Sequence, residues 1–280
     1  MLRLSQLASR ARVIAPLAAL LSFGSSAVAL ALPIDTGYNY QTYSAYPAPP
    51  AVGPSAVKDN YWINVASYLP PSGLSLVAAP SFVIKDNLPW QAPFAPTSRW
   101  IGPLPTWNSA AGSSDNDHAW TVFRKCFCLA PNFNGATLSF QTRHDESLQM
   151  ILNTLNNTIY GPTLSNFANA SVPLVTLSSG QLSSLHAGKN CIYALLQDTG
   201  GAMGWDLTGN FNANGLYPYA AAGPQQSFPC DCAGQGGAVP NGPAGMSAAR
   251  SMQSNDSDVI AAIVKLAESR RKAALIQRKK

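Results

Sequence analysis

Charge is scarce in this chain. Asp, Glu, Lys and Arg together make up 11% of its 280 residues, against about a quarter in an ordinary globular protein. So low a density excludes a coiled coil or a long solvent-exposed helical protein. Only three histidines are present, and no Gly-x-Ser-x-Gly, His-Glu-x-x-His, phosphate-binding loop or dinucleotide fingerprint occurs, so no motif marks an enzyme. No sequence repeat of solenoid or propeller length is found. The apolar run over residues 13–23 is too short to cross a bilayer, and no other run is longer. What is abundant is apolar side chains, at 46%, together with 21 Gly and 22 Pro. That composition excludes wholesale disorder and points to a turn-rich, β-rich protein.

The net charge of +5 is unevenly spread. Arg3, Arg10 and Arg12 precede the apolar run, and the last sixteen residues carry +6, from Lys265, Arg270, Arg271, Lys272, Arg278, Lys279 and Lys280 against Glu268. The body between, residues 32–264, is mildly acidic at −4, so a nucleic-acid partner is not expected. The start of the chain has the form of an export signal: a basic stretch to Arg12, an apolar run from Val13 to Phe23, then Ser25-Ser26-Ala27-Val28-Ala29-Leu30-Ala31. Residues 1–31 are therefore expected to be a signal peptide, cut after Ala29 or Ala31. The mature chain is expected to be secreted, periplasmic or at the cell surface.

Residues 32–56 interleave Tyr38, Tyr40, Tyr43 and Tyr46 with Pro47, Pro49 and Pro50, which reads as an extended arm or linker, either a strip packed loosely on the body or an adhesive tyrosine arm. From 57 to 219 the chain changes to short runs rich in β-branched and aromatic residues, divided by Pro, Gly, Asn and Ser. The expected strands are 61–67, 74–78, 81–84, 119–129, 136–142, 148–152, 158–160, 172–177 and 190–198. They predict an all-β fold, a jelly-roll-type antiparallel β-sandwich able to fold as residues 57–219 alone. Alternation is clearest over residues 122–129, where Phe123, Phe127 and Leu129 share one face and Arg124, Cys126 and Cys128 the other. Residues 220–253 read as Gly/Ala/Pro-rich coil. Residues 254–280 read as a basic amphipathic α-helix, capped by Ser254 to Asp258, that stays off the core, either as a solvated, partly helical tail or in contact with an anionic membrane surface or envelope polymer.

Five cysteines stand as Cys126-x-Cys128, Cys191 and Cys230-x-Cys232. In an exported chain disulfides are the first expectation, here between the pair Cys126 and Cys128 and the pair Cys230 and Cys232. A four-thiolate Zn site and free or intermolecular thiols are the alternatives. Cys191 reads as a small buried hydrophobe.

The order Trp100-Ile101, a loop over 102–118, Val122-Phe123-Arg124-Lys125-Cys126-Phe127-Cys128-Leu129, Asp145-Glu146 before 148–153, and Gly188-Lys189-Asn190-Cys191-Ile192-Tyr193 resembles the galactose-binding-like β-sandwich modules of bacterial exported proteins. The two Cys-x-Cys pairs and the C-terminal helix depart from that pattern. The resemblance implies a structural Ca²⁺, for which Asp115 and Asp117 are the candidate ligands; a solvated turn is the plainer reading of Asp115-Asn116-Asp117-His118. It also implies a ligand site at the loop end, built from Trp107, Asp117, His118, Arg143 and Asp145. Trp107 is the best candidate to stack on a sugar ring, the other tryptophans being expected in the core. The expected function is a non-catalytic module that binds a carbohydrate or another cell-surface component. The alternative is a structural or assembly protein of the cell envelope, without a small ligand, in which the Tyr-rich arm and the basic helix make the contacts.

Overall fold

Alternating apolar residues in 119–129 and again in 136–142 predict two strands; the chain makes one. A computed structural model describes residues 30–40, 42–49, 54–70, 72–85, 90–94, 96–106, 118–145, 147–198, 202–216 and 255–278. Its strands are β1 (Leu30–Pro33), β2 (Tyr38–Asn39), β3 (Ser44–Ala45), β4 (Lys58–Leu69), β5 (Gly73–Ser75), β6 (Ala79–Val83), β7 (Ile101–Gly102), β8 (Trp120–His144), β9 (Ser147–Leu152), β10 (Thr158–Thr163), β11 (Val175–Ser178), β12 (Gly188–Gln197) and β13 (Trp205–Leu216), followed by the helix α1 (Asn255–Arg278).

The fold is mostly β with one C-terminal helix, as expected, but the layering differs. The main sheet runs β1-β13-β7-β6-β4-β8-β12-β9-β10, and β13 pairs again with β8. That second pairing closes β13, β7, β6, β4 and β8 into a five-stranded barrel with further strands attached, where a jelly-roll sandwich was expected. The cause is the length of β8. At 25 residues and about 3.3 Å per residue, it is long enough to serve two neighbourhoods. Its first half pairs with β4 and β12 and its second half with β13 and β11.

Inside the ring, Trp62, Phe123 and Trp205 are fully buried, with Trp62 edge-on to Trp205 at 4.8 Å between ring centres. Phe127 and Phe211 stack at 4.3 Å nearby. The Tyr-rich segment belongs to this core and is no linker. β1 pairs with β13 from Leu30↔Ala213 to Pro33↔Asn210, and Leu32, Ile34, Tyr38 and Tyr40 are buried. Its backbone is stitched in as well: Ile34 N–H donates to Gly209 O at 2.8 Å, and Thr36 N–H to Leu207 O at 2.9 Å. Gly37 makes the turn out of β1 at φ 62°, where a Cβ would stand 2.5 Å from Arg99 Cβ. A unit of 57–219 alone would thus lack a strand and part of its core.

The helix also departs from expectation, because it docks on the sheet. Ile263 and Ala267 are fully buried against Val65, Trp120, Val122, Ile151, Cys191, Tyr193 and Leu195 on the outer face of β4, β8, β9 and β12. A narrow stripe suffices because that face is itself apolar, and Ala267 lets the backbones approach closely. Polar contacts fix the register. Asp256 accepts from Arg124 Nη1 at 2.5 Å, from Lys189 Nζ at 3.0 Å and from the Tyr193 hydroxyl. Trp120 Nε1 donates to Glu268 at 2.8 Å, and Arg270 donates to Gln149 at 2.7 Å and to Gln197 at 3.1 Å. Arg271 pairs with Glu268 at 3.0 Å and lies over Tyr68. Two of the cations assigned to an anionic surface are therefore spent on the protein itself, while Lys265 and Lys272 remain exposed.

Cys126 bonds to Cys191, its direct cross-strand partner on β12. Cys191 is thus a bridge residue where a lone hydrophobe was expected, and Cys126 pairs within the sheet. Cys128 is disulfide-bonded too. Cys230 and Cys232, with residues 1–29 and 220–253, lie outside the described residues.

Candidate functional site

Ladder register brings several chain connections to one rim of the barrel. Gln197 on β12 faces both Trp120, the first residue of β8, and Ser147, the first of β9. Asp198 N–H extends that row by donating to Ala119 O at 2.8 Å. On the other side, Trp205 at the start of β13 faces His144 at the end of β8 and Ile101 on β7. The connections 103–119, 145–146 and 198–204 therefore leave the barrel together. Of the residues expected at a ligand site, His118, Arg143 and Asp145 stand on this rim. Trp107, Asp115 and Asp117 lie outside the described residues. Among the described residues no three His, Cys, Asp or Glu side chains gather as a metal group.

His118 takes a left-handed backbone, φ 49°, and is buried, so the 103–119 connection re-enters the barrel through a sharply turned residue. Asp145 is buried as well; its N–H donates to Gly204 O at 3.0 Å and its carboxylate lies 3.5 Å from Ser165 Oγ. Arg143 does not present its guanidinium to a ligand. Its Nη1 donates to Ala92 O at 2.6 Å, Nη2 to Ala170 O at 3.0 Å and Nε to Asn169 O at 3.1 Å, with the ring of Phe94 4.1 Å away. Arg143 thus ties two loops to β8, and the expected ligand role is corrected to that of a brace. Behind it Asp206 is fully buried, accepts Phe94 N–H at 2.8 Å and Thr36 Oγ1–H at 3.3 Å, and is pushed up by burial to about 6. His144 is enclosed, its Nε2 3.0 Å from Thr163 Oγ1 and 3.5 Å from the Tyr160 hydroxyl. The polar side chains here are frame, and five tryptophans, Trp62, Trp90, Trp100, Trp120 and Trp205, are core.

No family model matches the chain. No curated protein matches it either. Solved structures that resemble it do so faintly. The PA14 domain of the MpAFP antifreeze protein is 16% identical at a TM-score of 0.21, and the match covers 39% of this chain and 50% of that one. A family 35 carbohydrate binding module from Clostridium thermocellum is 10% identical at 0.24, covering 58% of this chain and 98% of that one. The isomalto-dextranase of Arthrobacter globiformis T6, complexed with panose, is 11% identical at 0.22, covering 66% and 32%. The chain thus spans about half the length of the antifreeze domain. Likenesses of this size carry no argument about ligand or activity.

A second buried polar group went unnoticed in the sequence. Lys125 lies between Phe123 and Phe127 on the inward face of β8 and is 1% exposed. Its Nζ sits 4.7 Å from the Tyr40 ring centre and 5.5 Å from that of Trp62. Burial lowers it to about 8, against the pull of Asp59 and Asp35. Asp59, also fully buried, is pushed up by burial although Lys125 and three backbone N–H groups favour its charged form. The signal was present in the alternation: a lysine standing two residues from Phe on either side, on the core face, is out of pattern.

Proposed function

We propose that this chain is an exported, non-catalytic β module that binds a carbohydrate or another cell-surface component through the connection 103–119 on the barrel rim. One observation carries the reading. Of six tryptophans, five are held in the core; the sixth, Trp107, lies outside the described residues and is the one this reading assigns to a sugar face. Rigid anchorage of the rim by Arg143, Asp206 and His144 supports the same reading, since a loop site gains affinity when its ends are fixed in advance. A glycan array followed by titration tests it. The expected result is a saturable sugar signal that Trp107→Ala removes while the melting temperature stays unchanged; absence of any saturable signal, or full binding by the variant, overturns it.

Assembly in the cell envelope is a second reading, favoured by Leu74, Leu76 and Val77. These stand 53%, 62% and 75% exposed on and beside β5, a strand that pairs with β4 alone among the described residues. Concentration-dependent association that is abolished by Leu76→Glu would favour it over a sugar site.

A further inference from the structure

Lys125 and Asp59 form an unequal buried pair. Lys125 Nζ has no hydrogen-bond partner among the described residues. Asp59 is fully served: Oδ1 accepts Tyr61 N–H at 2.8 Å and Trp62 N–H at 3.1 Å, and Oδ2 accepts Gly37 N–H at 2.7 Å. A buried ammonium without a partner is among the least stable arrangements a core can hold. Removing the two charges together, by joining the groups, would relieve both.

The two residues lie on neighbouring barrel strands. Register on the β4–β8 ladder passes through Ile63↔Arg124, which puts Lys125 one step further on, beside Trp62. Aromatic rings and a second buried carboxylate, Asp35, surround the amine. Asp35 is itself fixed by Thr208 Oγ1–H at 3.0 Å and Gly209 N–H at 2.8 Å. No direct ion pair closes between Lys125 and Asp59 in the structure. Rotation about the bonds of the lysine stem provides the remaining approach.

We propose that Lys125 Nζ and the side-chain carboxyl of Asp59 condense to an intramolecular isopeptide bond that staples β4 to β8. In the step, the lone pair of the neutral amine attacks Asp59 Cγ of the neutral acid and an N–C bond forms. Negative charge then develops on Oδ1, where the N–H groups of Tyr61 and Trp62 already point. One amine proton passes to Oδ2, the Cγ–Oδ2 bond breaks, and water leaves. Ammonium and carboxylate become one neutral amide and one water, with no oxidant or reductant. The amide oxygen keeps the two N–H donors, and the orphaned nitrogen ceases to be a charge. With Cys126 bonded to Cys191 at the next position, β8 would be tied covalently to both neighbours.

Mass spectrometry of the full mature chain, reduced, alkylated and denatured, with its first residue fixed by N-terminal sequencing, decides the matter. The expected mass is below that of the sequence by one water, and a branched tryptic peptide should join the segments holding Asp59 and Lys125. Lys125→Arg and Asp59→Ala should each restore the full mass. Asp59→Asn should form the same bond with loss of ammonia in place of water. A wild-type chain at full sequence mass, or a water lost at any other site, overturns the proposal, and neither reading depends on whether a variant folds.

Discussion

Replacing Asp256 by Ala should loosen the helix from the barrel, and the structure sets the size of the effect. The carboxylate gathers three donors, the hydroxyl of Tyr193 and the cations of Arg124 and Lys189. Tyr193 is 1% exposed, so the substitution leaves a buried hydroxyl without its acceptor, at a cost of about 1–3 kcal/mol. Both ion pairs are partly open to solvent, with side chains 15–29% exposed, and screening holds each to about 0–1 kcal/mol. Helix docking should therefore weaken by about 1–5 kcal/mol in all. At the lower end, exchange of the buried-side helix amides would speed up about 5-fold, which hydrogen exchange read by mass spectrometry resolves directly. Acid should reproduce the effect. Burial raises the Asp256 carboxyl, but the Tyr193 hydroxyl, Arg124 and Lys189 outweigh it and hold the group below its ordinary value. Its contribution is thus complete above pH about 4 and is lost as pH falls through the lower folded value. Equal helix protection in Asp256→Ala and the wild type, at neutral pH and at pH about 3, would refute the docking argument.

Asp206 should give the opposite slope. Its carboxyl is raised from 3.8 to about 6, so the folded chain holds that proton more tightly than the unfolded one. The stabilisation is complete below the lower value and is lost as pH rises through the upper, a change of about 3 kcal/mol. Urea melts between pH 4 and 7 should show this loss in the wild type and a flatter profile in Asp206→Asn; parallel profiles would count against it. On the reading of residues before Leu30 as an export signal, cleavage should follow Ala29 and not Ala31, because Leu30 and Ala31 pair with Ala213 and Asn212 on β13 and a cut after Ala31 would remove both pairings. N-terminal sequencing of the exported chain is expected to begin at Leu30, and a start at Leu32 would contradict the argument.

Most strands were legible because their signals are local. Alternation around Phe123, Phe127 and Leu129, and turn residues around 153–157, mark β8, β9 and β10 where they fall. Barrel closure was not, since it depends on Ala130 to Gly135 carrying β8 on between two recognisable strands, through an irregular ladder with Gly135 at φ 63°, and polar residues there read as a loop. The N-terminal strands were hidden by composition: Tyr and Pro suggest an arm, whereas Tyr38 and Tyr40 are core rings and Thr36 bonds to β13. Helix docking left a trace that went unread. The run Cys191-Ile192-Tyr193-Ala194-Leu195-Leu196 is apolar on both faces, the mark of a strand covered on both sides, and α1 is the second cover. As for the site, sequence placed His118, Arg143 and Asp145 on one rim but could not show that the Arg143 guanidinium is consumed by three carbonyls.

Because β1 lies on β13, and β13 also closes the ring on β8, the first and last strands in sequence meet across some 180 residues of chain. Contacts of that separation make for slow folding. During synthesis they impose an order: until residue 216 has emerged, β1 has no partner strand and the second half of β8 lacks β13. Ring closure is thus held back until most of the chain has been made.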